Sequence, residues 1–428
     1  IVYKCLYMIV GIIGSGGREH AICSSLLKSS KISKVFCFPG NAGTEEIAKN
    51  VKIDTENFEE LKNFIFKEKI ELIFVGPEKP LVDGLVDYLE KFNIKVFGPN
   101  KIASKLEGSK IFTKKICEKF NIPTAKFGIF ETREEAKKFL YNANFPTVIK
   151  ADNLASGKGV YICGNKNEAC EAIDEIFNGK FGNAKNLLIE EYLNGEEMSF
   201  FTVHDGKIFK NFGTAQDHKR VLEGDKGKNT GGMGAYSPSR LINDELEKKI
   251  INKIIKPTLK GLLEIGVKYK GFLYAGLMIV NNEPYLIEYN VRMGDPECQT
   301  ILPKLKTDLI DIILSCSNER LSKIDIEWDN KKSLCFVICS KGYPDKFQKN
   351  IEIKNTEKVI QNSSEFLFHA GTLKKNNKTL AIGGRVLNIV ALSTKFSTAK
   401  NKVLDNIIRL NWSGGFYRKD IGYKVIEE

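Results

Sequence analysis

A polar segment follows one of the apolar stretches of the chain, and its residue types suit metal and phosphate chemistry. Glu288 and Asn290 are two residues apart, so on a strand their side-chain oxygens face the same side. Oxygen ligands of this kind suit a magnesium ion that bridges phosphates. Arg292 falls on the same face, where a guanidinium can stabilise charge on a phosphoryl group in transfer. The segment predicts a metal-assisted phosphoryl-transfer site; the alternative is a turn with a structural role only.

A second candidate site begins at Lys150, which ends an apolar strand. The loop after it contains Gly157, Lys158 and Gly159, and a lysine followed by such a loop can clamp polyphosphate oxygens. A Walker A loop is excluded, because Gly159 stands where that motif needs Ser or Thr and Asp152 stands where it needs glycine. The alternative is a solvated hairpin turn.

A glycine-rich loop follows the first apolar strand and precedes a helical pattern. Gly14, Gly16 and Gly17 let the backbone approach an anion, and the helix that follows offers free N–H groups and a positive dipole end. Glu19 stands where a dinucleotide fingerprint needs its third glycine, so NAD binding is not supported. Arg18 supplies a fork suited to a phosphate monoester. The alternative is a tight strand–helix turn.

The fourth candidate is acidic and lies at the end of another apolar strand. Glu190 and Glu191 leave the strand, and Leu193 and Glu197 follow. Backbone groups here can line an adenine pocket, and a carboxylate can hold ribose hydroxyls. A surface turn is an equally good interpretation of this segment alone.

Composition limits the class of protein. A chain of 428 residues predicts several domains, and 42% hydrophobic with 28% charged residues is ordinary for a globular protein. The net charge of +12 comes from scattered lysines without a dense basic block. General solvation is the preferred interpretation, attraction of anionic substrates comes second, and nucleic-acid binding is least favoured.

Targeting and redox signals favour the cytoplasm. No apolar run reaches the roughly 18 to 20 residues that a membrane helix needs. The ten cysteines form no CxxC pair and no zinc spacing with histidine, which favours core packing in a reducing compartment. Residues 1–7 precede Met8 and are interpreted as an extension without function.

The elements that must position these residues follow a recognisable order. Apolar runs alternate with helical patterns in the first hundred residues, which predicts a doubly wound parallel sheet with ligands at the carboxyl ends of its strands. A helix-like stretch, 246–263, separates two apolar strands further along. The last hundred residues are rich in strands and end in a helical pattern.

The order of these clusters resembles the ATP-grasp superfamily, and motifs along the chain give a closer resemblance to the phosphoribosylamine–glycine ligase family. The motifs are GSGGREHA (14–21), PGNAGT (39–44), VGPE (75–78), LEGSK (106–110), QDHKR (216–220), NTGGMGAYSP (229–238), GFLYAGLM (271–278), FHAGT (368–372) and RKDIG (418–422). They run from near Met8 to the C-terminal end.

The resemblance implies an α/β and α+β multidomain fold. Residues 8–108 are expected to form a Rossmann-like substrate domain. Residues 109–328 are expected to form the two-lobed ATP-grasp domain, with a mobile small lobe at about 123–193. Residues 329–428 are expected to form a small strand-rich C-terminal domain.

The activity that the resemblance implies is ATP-dependent ligation of glycine to 5-phosphoribosylamine in de novo purine biosynthesis. The glycine carboxylate attacks the γ-phosphoryl group of ATP, which gives glycyl phosphate and ADP. The amine then attacks the acyl carbon and expels phosphate, so no protein nucleophile is needed. ATP is the co-substrate and Mg²⁺ or Mn²⁺ the metal. The partners are small molecules, with no nucleic acid or membrane, and the protein is expected to be a cytoplasmic monomer.

The resemblance also assigns roles residue by residue. The ATP-binding set is Lys110, Lys150, Gly157, Lys158, Gly159, Glu190, Glu191, Leu193 and Glu197, and the metal pair is Glu288 and Asn290. The substrate-binding set is Gly14, Gly16, Gly17, Arg18, Glu19, Glu78, Asp217 and Arg220, and the catalytic set is Arg292, Asp295 and Lys219.

Three positions depart from the family pattern. Asn153 replaces a usual glycine, Lys228 a usual proline and Met293 a usual phenylalanine. These departures leave the carboxylates and lysines intact, so they bear on loop mobility and rate rather than on the type of reaction.

Three rival functions remain at this point. Another ATP-grasp ligase or carboxylase, above all a bicarbonate user, is the nearest. A regulatory nucleotide-binding protein without turnover is disfavoured because Lys150, Glu288 and Asn290 are all present. A dehydrogenase is disfavoured by the missing third glycine.

Overall fold

The computed structural model describes residues 7–152, 159–182 and 185–426. Asn153, Gly157 and Lys158 of the predicted phosphate loop lie outside the described residues, as do residues 1–6. Within the described residues, no helix combines the length and the apolar character needed to cross a membrane.

The N-terminal region is a parallel sheet with helices between its strands. Its strands are β1 (Met8–Gly14), β2 (Ile32–Pro39), β3 (Lys49–Asn50), β4 (Leu72–Val75) and β5 (Lys95–Phe97), and its helices are α1 (Gly17–Leu26), α2 (Thr44–Ile47), α3 (Phe58–Glu68), α4 (Glu78–Asp83), α5 (Leu85–Glu90) and α6 (Lys105–Gly108). The strand order is β3-β2-β1-β4-β5. Strand β1 is apolar and pairs in parallel with both β2 and β4, so its carboxyl end brings the glycine loop to the centre of the sheet edge. The predicted doubly wound sheet is confirmed.

A small antiparallel lobe follows. Its elements are α7 (Lys110–Lys119), β6 (Phe127–Phe130), α8 (Arg133–Phe139), β7 (Thr147–Ala151), β8 (Val160–Cys163), α9 (Lys166–Phe177) and β9 (Leu187–Glu191). The strand order is β6-β9-β7-β8, and the apolar residues under α8 and α9 form a core cluster of their own. Strands β7 and β9 confirm the apolar strands predicted before Lys150 and before Glu190.

The central region supplies most of a large sheet. Its elements are β10 (Glu196–Asp205), β11 (Phe209–Asp217), β12 (Arg220–Leu222), β13 (Lys226–Asn229), β14 (Gly234–Ser237), α10 (Asp244–Ile250), α11 (Lys256–Glu264), β15 (Lys270–Val280), β16 (Glu283–Asn290), α12 (Glu297–Ile301) and α13 (Leu309–Ser317). A π-helical segment, Ile251–Ile255, joins α10 to α11, so the predicted helix forms as one run. Strands β12 and β13 form a separate hairpin.

The C-terminal region is built mainly of strands, as predicted. Its elements are β17 (Lys332–Ser340), β18 (Ile351–Ile353), β19 (Glu365–His369), β20 (Thr372–Lys375), β21 (Lys378–Ala381), β22 (Arg385–Ser393), α14 (Phe396–Leu410) and β23 (Gly415–Phe416). Short 3-10 turns along the chain lie at Leu140–Asn142, Leu302–Lys304, Leu321–Lys323, Thr356–Lys358 and Tyr423–Val425.

One sheet crosses the predicted boundary between residues 328 and 329. Its order is β16-β15-β10-β11-β14-β17-β22-β19, with β23 paired to β17. Strand β14 is fully buried and pairs antiparallel with β17, so the C-terminal region continues the sheet of the central region. The three domain boundaries remain predictions, and this shared sheet was not foreseen from the sequence.

Candidate active site

The small lobe and α7 bring three lysines to one buried carboxylate. Lys150 on β7 lies 2.9 Å from Glu190 on β9, and Lys114 on α7 lies 3.3 Å from the same carboxylate. Lys110, the first residue of α7, donates to the carbonyl of Ala151 over 2.9 Å. Strand pairing of β7 with β9 and the approach of α7 therefore gather the predicted phosphate lysines in one place.

Burial and ion pairing shift the pKa values of this lysine cluster and of Glu190. Burial lowers the pKa of Lys110 and of Lys114 below the usual lysine value. Burial opposes the charge of Glu190, but Lys150 and then Lys114 outweigh it and hold its pKa below the ordinary value. The charges of Glu288 and Asp152 also act on Lys110, and the three ammonium groups supply positive charge that suits a polyphosphate.

The predicted metal pair lies on β16 beside these lysines. Glu288 and Asn290 are both half-buried, while Tyr289 between them points into the core and bonds Thr258 through its hydroxyl at 2.6 Å. Among the described residues, neither the Glu288 carboxylate nor the Asn290 amide has a protein hydrogen-bond partner. Both Lys110 and Lys219 are near enough to feel the charge of Glu288, which opposes the fall in the pKa of Lys110 and adds to the rise in the pKa of Lys219.

The oxygen pair fits a divalent cation that is completed by a substrate. In the described part of the chain, no group of three or more His, Cys, Asp or Glu side chains is placed to hold a metal ion. One carboxylate and one amide oxygen would leave several coordination positions for phosphate and water. Magnesium in proteins is typically held in this way, with few protein ligands.

Arg292 is held by two carboxylates from different helices. Its Nε lies 3.1 Å from Glu78 at the start of α4, and its Nη2 lies 2.6 Å from Glu107 in α6. Its Nη1 donates to the carbonyl of Met293 over 3.2 Å. The second oxygen of Glu107 accepts the backbone N–H of Val291 at 2.8 Å, so Glu107 fixes both the side chain and its backbone.

These pairings shift the protonation of both carboxylates. Arg292 is the main cause of the fall in the pKa of Glu78 to about 2. Burial raises the pKa of Glu107 to about 7, although Arg292 acts in the opposite direction. Burial also opposes the charge of Arg292, but Glu107 and Glu78 more than offset it and raise its pKa.

The glycine loop is tied to the protein itself. The N–H of Gly16 donates to Glu19 over 2.6 Å, and the N–H of Arg18 donates to Asp295 over 3.1 Å. The Arg18 guanidinium, in a residue only 7% exposed, bonds Glu19 at 2.6 Å and the carbonyl of Met293 at 2.9 Å. Groups that were expected to hold a phosphate are therefore engaged internally, and the substrate role of Arg18 remains a prediction.

Two glycines are required by close packing here. Gly14 has a φ of 121°, and a Cβ at this position would lie 2.5 Å from Cγ of Glu19. A Cβ at Gly17 would lie 2.5 Å from the amide nitrogen of Gln299. The glycines thus let Glu19 fold back over the loop and let α12 approach the start of α1.

Asp295, predicted to be catalytic, links three parts of the fold. Besides the N–H of Arg18, it accepts the amide of Gln299 at 2.8 Å and pairs with Arg385 at 3.2 Å. Its pKa is below the usual value because Arg385 and Arg18 outweigh the effect of burial. This arrangement supports a structural contribution, and a catalytic role remains a prediction.

Residues 217–220, at the end of β11 and just after it, lie in two different environments. Lys219 pairs with Glu197 at the start of β10. Burial raises the pKa of Asp217 to about 7. By contrast, Arg220 donates to the carbonyl of Gly227 across the β12–β13 hairpin at 2.8 Å, so its guanidinium is occupied within that hairpin.

The adenine-framing residues lie at the exit from the small lobe. Glu191 is exposed and accepts the backbone N–H of Lys126 at 2.9 Å, while Leu193 is half-buried in the link to β10. Their contact with adenine remains a prediction, as does the place of Gly159 in a closing loop.

Three family models, each for one domain of the same enzyme family, match consecutive parts of the chain. They are the N domain of phosphoribosylglycinamide synthetase over residues 8–107, its ATP-grasp (A) domain over residues 108–298 and its C domain over residues 333–424. The chain belongs to the phosphoribosylglycinamide synthetase family. This membership confirms the predicted family resemblance and the enzyme class, an ATP-grasp ligase.

Known members of the phosphoribosylglycinamide synthetase family match this chain over nearly its whole length. The phosphoribosylamine–glycine ligase of Brucella melitensis is 43% identical over 421 residues, 98% of this chain and 99% of the relative. That of Caldanaerobacter subterraneus is 44% identical over 416 residues, 97% and 99% of the two chains.

Solved structures agree on the fold. The crystal structure of phosphoribosylamine–glycine ligase from Thermotoga maritima has a TM-score of 0.85 and 34% identity, covering 97% of this chain and 100% of that chain. The biotin carboxylase domain of 2-oxoglutarate carboxylase from Hydrogenobacter thermophilus has a TM-score of 0.75 at 16% identity, covering 96% and 92%. The second likeness shows the fold alone, and together they confirm the predicted fold class.

Sequence reasoning missed three residues of the synthetase site. Glu107 holds Arg292, Lys114 shares Glu190, and Glu297 lies buried beside Ser199, whose hydroxyl is 3.3 Å from it. Glu107 stands inside the LEGSK motif and Glu297 directly follows the metal-strand segment, so both signals were present in the sequence. Lys114 carried no signal beyond its position on a helix one turn after Lys110.

Proposed function

We propose that this chain joins glycine to 5-phosphoribosylamine, with ATP converted to ADP and phosphate, in de novo purine biosynthesis. Besides family membership, one structural observation supports the proposal. The oxygen pair of Glu288 and Asn290 has the lysine cluster of the small lobe near one end, and Arg292 follows it directly on the other.

The first step is phosphoryl transfer. Lys110 and Lys150 bind the ATP phosphates, and Glu288 with Asn290 would hold the divalent metal, which supplies charge neutralisation at the phosphates. A carboxylate oxygen of glycine attacks the γ-phosphorus, the bond from that phosphorus to the ADP oxygen breaks, and glycyl phosphate forms. Arg292, already held by Glu78 and Glu107, stands ready to orient the anionic groups without reorganising.

The second step is acyl transfer. The amine nitrogen of phosphoribosylamine attacks the acyl carbon of glycyl phosphate, the carbon–oxygen bond to phosphate breaks, and the amine loses a proton. Lys219 and Asp217 lie on the segment that faces Glu197 and Glu288, and we assign them to the substrates of this step. Catalysis then rests on positioning and charge neutralisation rather than on a protein nucleophile.

The choice of metal, the compartment and the assembly state also belong to this proposal. Mg²⁺ or Mn²⁺ is the metal, because the donors are oxygen atoms. The nine cysteines of the described residues are all free, which supports a reducing, cytoplasmic location. We further propose a monomer, for which light scattering should give a mass near the 48.1 kDa of the chain.

The test is ADP release by the purified protein with ATP, magnesium, glycine and freshly generated phosphoribosylamine, each omitted in turn. We expect turnover only when all four are present. ADP release that ignores glycine or phosphoribosylamine would contradict the substrate assignment. Dependence on bicarbonate instead would favour the rival carboxylase.

A further inference from the structure

The RKDIG motif near the C-terminal end takes no part in the proposed chemistry, yet it contains the largest fully buried side chain of the described residues, Arg418. Arg418 is 1% exposed and donates from Nε and Nη2 to the two oxygens of Asp420 at 2.8 and 2.7 Å. Its Nη1 donates to the Asp225 carboxylate at 2.8 Å and to the carbonyl of Arg220 at 2.9 Å. The guanidinium therefore ties the tail to the β12–β13 hairpin.

Other bonds join the same two segments. The N–H of Gly422 donates to Nε2 of His218 over 3.0 Å, and the N–H of Gly224 donates to Asp420 over 2.8 Å. The Tyr423 hydroxyl donates to Asp225 over 2.8 Å. We call these contacts, between residues 418–423 and residues 218–225, the tail latch.

The tail latch holds the residues on both sides of Lys219. The His218 side chain is bonded by Gly422, and the carbonyl of Arg220 is bonded by Arg418. The carbonyl of Lys219 itself accepts the N–H and the hydroxyl of Thr230, each at 2.8 Å. The backbone at Lys219 therefore has little freedom, although its ammonium group reaches toward Glu197 in the site.

We infer that the tail latch is a positioning device for Lys219, and this inference rests on the proposed function. Burying Arg418 and its carboxylate partners costs desolvation free energy. Apolar side chains of similar volume would have held the tail in place at a lower free-energy cost. The latch orients the segment that carries Asp217 and Lys219 against Glu197 and Glu288 before substrates bind. A displacement of about 1 Å at such a segment lowers a rate by up to roughly a hundredfold.

The test is a double-mutant cycle between Arg418→Lys and Lys219→Ala. Lysine keeps the charge at position 418 but cannot make the four bonds of the fork. We expect Arg418→Lys alone to lower kcat/KM for ligation about tenfold. In the Lys219→Ala background the same change should lower it less than about twofold, because the group being positioned is gone.

A matched control separates positioning from loss of stability. Val403→Ala in α14 removes buried side-chain volume from the core cluster of the same region and changes no residue of the latch. It should lower Tm at least as much as Arg418→Lys while kcat/KM stays within about twofold. Equal losses from Arg418→Lys in both backgrounds, or no loss at all, would overturn the inference.

Two further measurements keep the inference separate from the proposed function. If Arg418→Lys does not fold, Asp420→Asn provides the cycle, since it removes the negative charge that faces the Arg418 guanidinium with little change of shape. If the wild-type protein shows no ligation, hydrogen exchange of residues 216–230 still tests the latch. Faster exchange there in Arg418→Lys, with the core strands unchanged, is expected, and unchanged exchange in the hairpin would refute the latch.

Discussion

The lysine side and the arginine side of the site balance their charges in opposite ways. On the lysine side, Lys114 and Lys150 share the carboxylate of Glu190, while Lys110 donates to a carbonyl and is near Glu288 without an ion pair to Glu190. On the arginine side every guanidinium has a carboxylate partner; the arginines are Arg18, Arg292 and Arg385, and the carboxylates are Glu19, Glu78, Glu107 and Asp295.

This difference indicates how the two sides work. Burial lowers the pKa of Lys110 and of Lys114, and such ammonium groups are stabilised when a polyanion arrives, so the lysine side gains most from binding ATP. The arginine side is already satisfied, and its geometry is set before any substrate binds. It therefore contributes mainly by preorganisation, which lowers the barrier rather than the dissociation constant of ATP.

The largest effect is expected where the two sides meet. Glu288→Gln keeps the shape but removes the charge that would hold the metal, and kcat/KM should fall by about a thousandfold. Steady-state assays across a magnesium titration measure the change. Glu283→Gln on the same strand, where the carboxylate pairs with Lys249 and Lys253 at the surface, is the control and should stay near wild type. Comparable activity of the two variants would remove the metal assignment.

Breaking the arginine side should come next. Arg292→Lys cannot reach Glu78 and Glu107 together, so kcat/KM should fall about a hundredfold while the KM for ATP changes little. Kinetics with ATP varied at saturating glycine measure both quantities. Arg133→Lys, in a partly exposed pair with Asp174 in the small lobe, is the matched change and should be neutral. A rise confined to the KM for ATP would show that Arg292 belongs with the lysines.

Breaking the lysine side should give the opposite pattern. Lys150→Ala leaves Glu190 paired with Lys114 but removes one phosphate ligand, so the KM for ATP should rise about tenfold with the KM for glycine within twofold. The control is Lys137→Ala in the same lobe, whose partner is Asp174. If kcat fell instead at an unchanged KM for ATP, the contrast between the two sides would be wrong.

The smallest effect is a pH dependence that sharpens the contrast. The pKa of Glu78 lies near 2, below its ordinary value of 4.5, because of Arg292. Its ion pair therefore stabilises the fold above about pH 4.5 and loses that contribution as the pH falls toward 2. The size should be on the order of 1 kcal/mol, since a quarter of the Glu78 side chain is exposed to solvent.

Urea unfolding at several pH values measures this contribution. Glu78→Gln should flatten the fall in the free energy of unfolding between pH 4.5 and 2. Glu59→Gln, whose carboxylate is mostly exposed and pairs with Lys62, should change the pH profile less than Glu78→Gln. Identical profiles for wild type and Glu78→Gln would mean that the pairing with Arg292 adds no stability.

Local patterns predicted most of the regular elements. Apolar runs such as β1, β4 and β15 have the length and composition of buried strands, and the structure contains them. Strand β14 was missed because its four residues, Gly-Ala-Tyr-Ser, show no alternation and follow a glycine-rich turn. It is a strand only because β11 and β17 lie on either side of it.

Candidate site residues were predictable where a polar motif stands at the end of an apolar strand. Glu288, Asn290 and Lys150 stand at such ends, and the structure places them at one site. The partners of Arg18 were not predictable, because an arginine beside a glycine loop suits a phosphate as well as it suits Glu19.

The sequence by itself determined most of the elements, the fold class and the chemical types of the site, because periodicity and motifs act over a few residues. Only the tertiary structure decided which charges pair. Glu107 and Arg292 are 185 positions apart, and Arg418 lies 198 positions from Arg220, so no local pattern joins them. Such pairs form because a buried charge must find a partner wherever the packed chain brings one.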